Sequence, residues 1–205
     1  PVLVALAGAF LMMLVCRLEP LPLLERVEWN TIFFFIGLFI MIGGLEHQGL
    51  FDWLGRELVN LTQGHLLATA LVVLWVAGVA SAIVDNIPLV IAMIPLLHSV
   101  VAGFAATMGI EGTPETLTPE QIALVRDHIH QPLFWCMALG ACLGGNGSLI
   151  GASANVVAAQ LARRNGYKLT FMQFTRIGFP IMILSLCICS VYVYLRYFSA
   201  PIPVL

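Results

Sequence analysis

Asp85 and Asn86 stand between two long apolar arms, in the run SAIVDNIPLVIAMIPL, and no Lys or Arg occurs between residues 57 and 125 to neutralise the carboxylate. An ionisable group inside an apolar region is costly unless paired or hydrated, which makes Asp85 the chief ionisable candidate for function. Further along, Gly140, Gly144, Gly145, Gly147 and Gly151 fall within twelve positions, interleaved with Asn146 and Ser148 and followed by Ser153 and Asn155. Each glycine costs about 1 kcal/mol of helix propensity relative to alanine, so this stretch is expected to use its backbone rather than its side chains. The reading is a helix interrupted over residues 144–148, with free carbonyls and amides able to hold an ion or small solute at membrane depth.

The neutral oxygens of Asn86, Asn146, Ser148, Ser153 and Asn155, together with the Asp85 carboxylate, form a hard-oxygen set suited to a small cation. A sodium ion would sit at Asp85, Asn86, Asn146 and Ser148. The positive N-terminal end of the second half-helix, near Leu149, would suit an anion instead. Other readings stay open: a solvated turn for Asp85, close packing for a single glycine, and interhelical hydrogen bonds for Ser153 and Asn155.

The elements that must position these groups are helical. Residues 1–16 and 30–45 read as membrane helices, the first one cut at its start and belonging to a longer protein, because the chain opens on Pro1 inside an apolar run. Between them, Arg17, Glu19, Glu25, Arg26 and Glu28 around Pro20 and Pro22 mark an aqueous connection. Residues 50–61 alternate apolar and charged faces and are expected to lie in the membrane interface. Residues 66–108 form a helical hairpin folded at residues 85–88, with small residues near the tip, as a re-entrant hairpin with its tip in the protein interior requires. Thr118, Pro119 and Gln121 announce the capped start of a short surface helix ending near His130. The broken helix occupies 132–164, and residues 177–198 form the last spanning helix.

With 60% hydrophobic and 10% charged residues in long apolar runs, the chain is an integral membrane protein whose constant partner is the lipid bilayer. Nine Lys and Arg against eleven Asp and Glu give no basic surface for nucleic acid. No nucleophile–base pair, phosphate loop or metal-ligand cluster is present, so neither an enzyme nor a resident cofactor is expected. The five cysteines lie in apolar segments and imply no disulfide framework. His47, His65 and His98 read as structural or interfacial, and His128 and His130 belong to the outer loop. Arg163, Arg164, Lys168 and Arg176 make the loop at 163–176 cytoplasmic, while residues 109–131, with Glu111, Glu115, Glu120 and Asp127, face outside. The hairpin then enters from outside and the C-terminus is external.

The run SAIVDNIPLVIAMIPL, the run ALGACLGGNGSLIGASANVVAAQLARRNGY at 138–167 and FMQFTRIGFP at 171–180 resemble the C-terminal half of permeases of the ion transporter superfamily. The likeness is to the ArsB/NhaD group and melanocyte P protein-like members, with a citrate transporter-like domain. It implies an all-α membrane fold of two inverted repeats, each with spanning helices, a horizontal helix, a re-entrant hairpin and a discontinuous helix, the substrate lying between the two tips and the two breaks. It further implies that this chain is one repeat, completed by a missing N-terminal repeat or by dimerisation of a half-size protein. The activity implied is secondary active transport of a small inorganic ion by alternating access in the plasma (inner) membrane, as sodium/proton antiport or arsenite/anion efflux, with sodium or proton coupling. A passive anion pathway and a sodium-coupled organic anion permease are the alternatives. Relatives that move dicarboxylates carry Ser-Asn-Thr at the hairpin tip, whereas Asp-Asn-Ile here would repel such a substrate.

Overall fold

A computed structural model describes residues 2–25, 27, 29–110, 112 and 116–199, which form helices without strands. Arg26, Glu28, Glu111 and Glu115 of the expected connections, and the C-terminal residues 200–205, lie outside the described residues. The chain divides into two compact units, Pro1–Met41 and Ile42–Leu205.

The first unit holds α1 (Val2–Val15), α2 (Pro20–Glu25) and the start of α3 (Trp29–His47). The α1 sequence contains no polar side chain, and its 14 residues reach about 21 Å at 1.5 Å per residue, short of the roughly 30 Å hydrocarbon core. Helix α3 ends in the second unit, where Gly49 takes the left-handed conformation at φ 71° and turns the chain into α4 (Leu50–Leu61). A residue with a Cβ pays a steric penalty in that conformation, so a glycine is suited to the corner.

The second unit continues with α5 (Leu66–Ser81), α6 (Asn86–Thr107), α7 (Pro119–Val125), α8 (Gln131–Gly144), α9 (Ser153–Arg164) and α10 (Phe171–Val193). By length and composition, Asn86–Thr107 and Phe171–Phe198 are each able to cross a membrane, and the bent pair α3 and α4 passes the same test when taken together. Helix α5, at 16 residues, reaches about 24 Å.

Tertiary packing departs from a simple hairpin. Helix α5 packs chiefly on α8, and α6 packs chiefly on α4 and α8, so the two arms meet other helices more than each other. Lipid is as apolar as leucine, so burial does not drive helices together within it; close van der Waals fit does, and small residues permit that fit. Gly78 of α5 and Gly140 and Gly144 of α8 supply it. A Cβ at Gly140 would lie 2.9 Å from the Ala77 methyl, and one at Gly144 would lie 2.7 Å from the Gly78 Cα. The buried core around this seam includes Leu74, Leu97, Phe104, Leu133, Met182 and Leu186.

Helix α4 shows a similar close crossing. Gly55 meets α6 at Ser99, where a Cβ would lie 2.9 Å from the Ser99 Cβ. Phe51 and Gly55 are buried, while Trp53 and Leu61 remain exposed. The crossing also carries Asp52 to α6, where it accepts the Ser99 hydroxyl at 2.5 Å. Asp52 therefore belongs to a helix contact and not to a purely aqueous face.

Two helix boundaries differ from the sequence expectation. Thr118 and Gln121 form a reciprocal capping box at the start of α7, as their spacing predicts, yet the helix does not end near His130. It passes through a π-helical turn, Arg126–His130, directly into α8. Pro132 explains the turn: it lacks an N–H and its ring collides with the carbonyl four residues back, and a π turn widens the helix before it. The last helix begins at Phe171, because Thr170 and Gln173 form a second capping box.

Candidate functional site

The break follows from its residues. Helix α8 ends at Gly144, Gly145–Gly147 make one 3-10 turn, and Ser148 is extended at φ −145° and ψ 165°. The chain stays irregular to Ala152 and restarts as α9 at Ser153. The interruption thus runs from Gly145 to Ala152, later than the 144–148 expected, because Gly144 is still helical and is used for packing. Gly151 sits in a tight corner, where a Cβ would lie 2.7 Å from the Ser81 carbonyl oxygen and 2.8 Å from that of Gly145.

The hairpin tip closes on this break through hydroxyls. Ser81 donates to the Ala141 carbonyl at 2.6 Å. The Ser148 hydroxyl donates to the Ala82 carbonyl, while its oxygen accepts the Gly151 N–H at 3.1 Å. Ser81 and Ser148 are both buried. Asn155 reaches back from α9, its side-chain amide donating to the Gly145 carbonyl at 2.9 Å and to the Ser148 carbonyl at 3.1 Å. The two Asn155 bonds reach carbonyls within the interruption, where the regular helical ladder is broken. Helix α10 covers the other side: a Cβ on Gly147 would lie 2.5 Å from the Met182 sulfur, and one on Gly178 would overlap the Asn146 carbonyl.

The sequence-derived candidates therefore separate into groups. Gly145, Gly147, Ser148 and Asn155 are brought together at the break, with Gly144 at its helical edge. Asn146 presents its backbone to α10 and its side chain is exposed. Ser153 is exposed at the start of α9. Asp85 and Asn86 are half-buried at the tip, and Asp85 caps α6 by accepting the Ile87 N–H at 3.2 Å. Among the described residues Asp85 shares no hydrogen bond with Asn146 or Ser148, and no Lys or Arg pairs with it. The tip touches the break through Ser81 and Ala82, which the sequence reading took only as small packing residues. The available signal was a hydroxyl, Ser81, placed at the end of an Ala- and Gly-rich helical run.

Asn155 offers its nitrogen to two carbonyls and the Ser148 hydroxyl is bonded to Ala82 and Gly151, so two side chains of the set envisaged for a cation are engaged in holding the break. Asn155→Ala should remove the side-chain donor from both carbonyls, the Ser148 carbonyl keeping the Gly151 N–H at 3.3 Å, and cost about 1–3 kcal/mol of stability. Thermal unfolding of the full-length protein in detergent would show a lower midpoint, and a cysteine at Asn146 would react faster with an aqueous thiol reagent. An unchanged midpoint and labelling rate would show that Asn155 does not hold the break.

Comparison with known proteins places this geometry in context. Residues 1–118 match the family model described as citrate transporter. An uncharacterized transporter of Mycobacterium tuberculosis is 43% identical over 198 residues, covering 97% of this chain and 42% of that protein. The 46 kDa membrane protein of Mycobacterium leprae is 36% identical over 198 residues, covering 96% and 41%. The human P protein is 37% identical over 188 residues, covering 89% of this chain and 20% of that protein. The chain spans about two fifths of the length of these mycobacterial relatives. No solved structure matches.

Proposed function

This chain belongs to the citrate transporter family, and from that premise we propose that it forms one repeat of a secondary active transporter that moves a small inorganic ion by alternating access. The observation that carries the reading is the closure of the α5–α6 tip onto the broken α8–α9 helix, through the Ser148–Ala82 and Ser81–Ala141 hydrogen bonds. Irregular backbone is tolerated in a bilayer only where protein or a water-filled cavity surrounds it, and discontinuous helices in transporters place such backbone at the substrate. Asp85, at the start of α6, supplies the one carboxylate of the tip and suits a sodium ion or a proton as coupling ion, with Asn86, Asn146 and Ser148 as neutral partners.

A partner repeat outside these residues, or a second copy, completes the transport pathway in this reading. On the same reading the protein lies in a plasma (inner) membrane with the loop at 163–176 cytoplasmic and the C-terminus outside; the clustering of Arg163, Arg164, Lys168 and Arg176 supports that orientation. The transport of an inorganic ion takes the form of sodium/proton antiport or of arsenite or other anion efflux. A second reading, cation-coupled organic anion uptake, is favoured by the description of the family itself.

Proteoliposomes carrying the full-length protein separate these readings. Sodium- or proton-gradient-driven flux of an inorganic ion, with no competition by citrate, is the expected result. Uptake of radiolabelled citrate driven by a cation gradient would replace it with the second reading, and uncoupled anion conductance would remove secondary transport altogether.

A further inference from the structure

His98 is the only ionisable side chain in α6, and the fold brings it against His130, thirty-two positions later in sequence. The two imidazole centroids lie 6.1 Å apart. His130 stacks on Phe134 at 4.0 Å with the rings 12° from parallel, and His98 lies 5.4 Å from the same phenyl ring. His130 closes the π-helical turn ahead of Pro132, so this contact joins the second hairpin arm to the segment where α8 begins. On its other side His98 lines a cavity of about 290 Å³ with Glu46, Asp52 and Ser99.

We propose that His98 and His130 form a pH-sensitive latch between α6 and the root of the broken helix, closed when both imidazoles are neutral and released when the second takes a proton. The charged and titratable groups around the pair are few. Glu46, near the end of α3, and Asp52 of α4 share the cavity with His98. Arg56 and Glu57, also on α4, do not line that cavity. Helix α5 carries no charged side chain. On the π turn, Arg126 and Asp127 pair with each other at 2.8 Å, and Asp127 also accepts from Gln131, leaving His128 and His130 as the titratable groups there. At the 6.1 Å separation of the two rings, a positive charge on one imidazole opposes a second on the other. Burial, and after it the neighbouring His98, already hold His130 below the ordinary imidazole range. A depressed imidazole keeps its stabilising neutral state at neutral pH and loses that contribution as pH falls below about 6.5.

The latch lies about three helical turns from Asn86, so its release would loosen the arm whose first turn carries the tip. That link to flux rests on the transport reading of the tip, whereas the latch itself does not. Trp135 lines a second cavity with His130 and Phe134 and serves as reporter, since an imidazolium quenches a nearby indole.

The test is the Trp135 fluorescence of the full-length protein in lipid nanodiscs, titrated from about pH 8 to pH 5 across the imidazole range, with Trp135→Phe identifying its share. The expected result is a quenching transition that disappears in His130→Gln. It should move to higher pH by about half a unit or more in His98→Gln, because the opposing charge is gone. His98→Asn provides a second variant, and monodisperse elution confirms folding of each. A midpoint unchanged in both folded His98 variants, or the absence of any Trp135-dependent transition, overturns the latch whatever the flux shows. A shifted midpoint upholds it, and unchanged flux in the same variants overturns only its connection to the transport site.

Discussion

Replacing Gly144 with valine is expected to be among the most damaging single changes in this chain. Gly144 of α8 and Gly78 of α5 meet backbone to backbone, and a Cβ at Gly144 would overlap the Gly78 carbonyl oxygen and lie 2.7 Å from its Cα. Backbone atoms cannot rotate away as a flexible side chain does, so α5 and α8 must separate. Even alanine should cost about 3 kcal/mol, the upper part of the usual range for overpacking, and valine more. Separation would also strain Ser81–Ala141 and Ser148–Ala82, the two hydrogen bonds that close the tip on the break. Thermal unfolding in detergent should therefore show a lowered midpoint for Gly144→Ala and little folded protein for Gly144→Val. Gly103 is the control: a Cβ there meets only the Val59 methyl at 3.5 Å, so Gly103→Ala should be neutral or stabilising. Equal effects at both positions would refute the packing role.

Asp85→Asn should abolish ion-coupled flux while leaving the fold intact. The carboxylate caps α6 through the Ile87 N–H, and asparagine caps a helix about as well as aspartate. What asparagine lacks is the charge that a sodium ion or a proton would use. A loss of at least about tenfold in coupled flux, equivalent to about 1.4 kcal/mol, is expected with an unchanged unfolding midpoint. Asp85→Ala should lose the flux and also about 1 kcal/mol of stability, because the cap goes too. The pair of variants separates two roles. If Asp85→Asn transported normally and only Asp85→Ala failed, the carboxylate would be a helix cap and the cation would bind elsewhere.

The residues that make up the candidate site were legible to different depths. Asp85 was conspicuous because a carboxylate between two apolar arms is rare, but its bond to the Ile87 N–H came only with the conformation of the turn. The glycine-rich stretch announced irregular backbone, yet sequence alone did not tell which of its glycines serve packing and which the break. In the fold, Gly140 and Gly144 set the distance between two helices, while Gly147 and Gly151 make room for Met182 and the Ser81 carbonyl. Ser81 and Ala82, the actual contacts of the tip with the break, carried almost no signal, since a serine or an alanine near a helix end has many uses.

By itself, then, the sequence determined the membrane class, the helical composition, the turn at Asp85 and an interruption within the glycine-rich stretch, together with the capping box at Thr118. All of these depend on hydropathy, helix propensity and hydrogen bonds spanning a few residues, which are local quantities. Only the tertiary structure decided that α5 pairs with α8, that α4 crosses α6 at Gly55 and Ser99, and that His98 meets His130. Helix packing in an apolar environment is selected by shape at the crossing, and the shape of a crossing belongs to two segments at once. No window along one segment contains it.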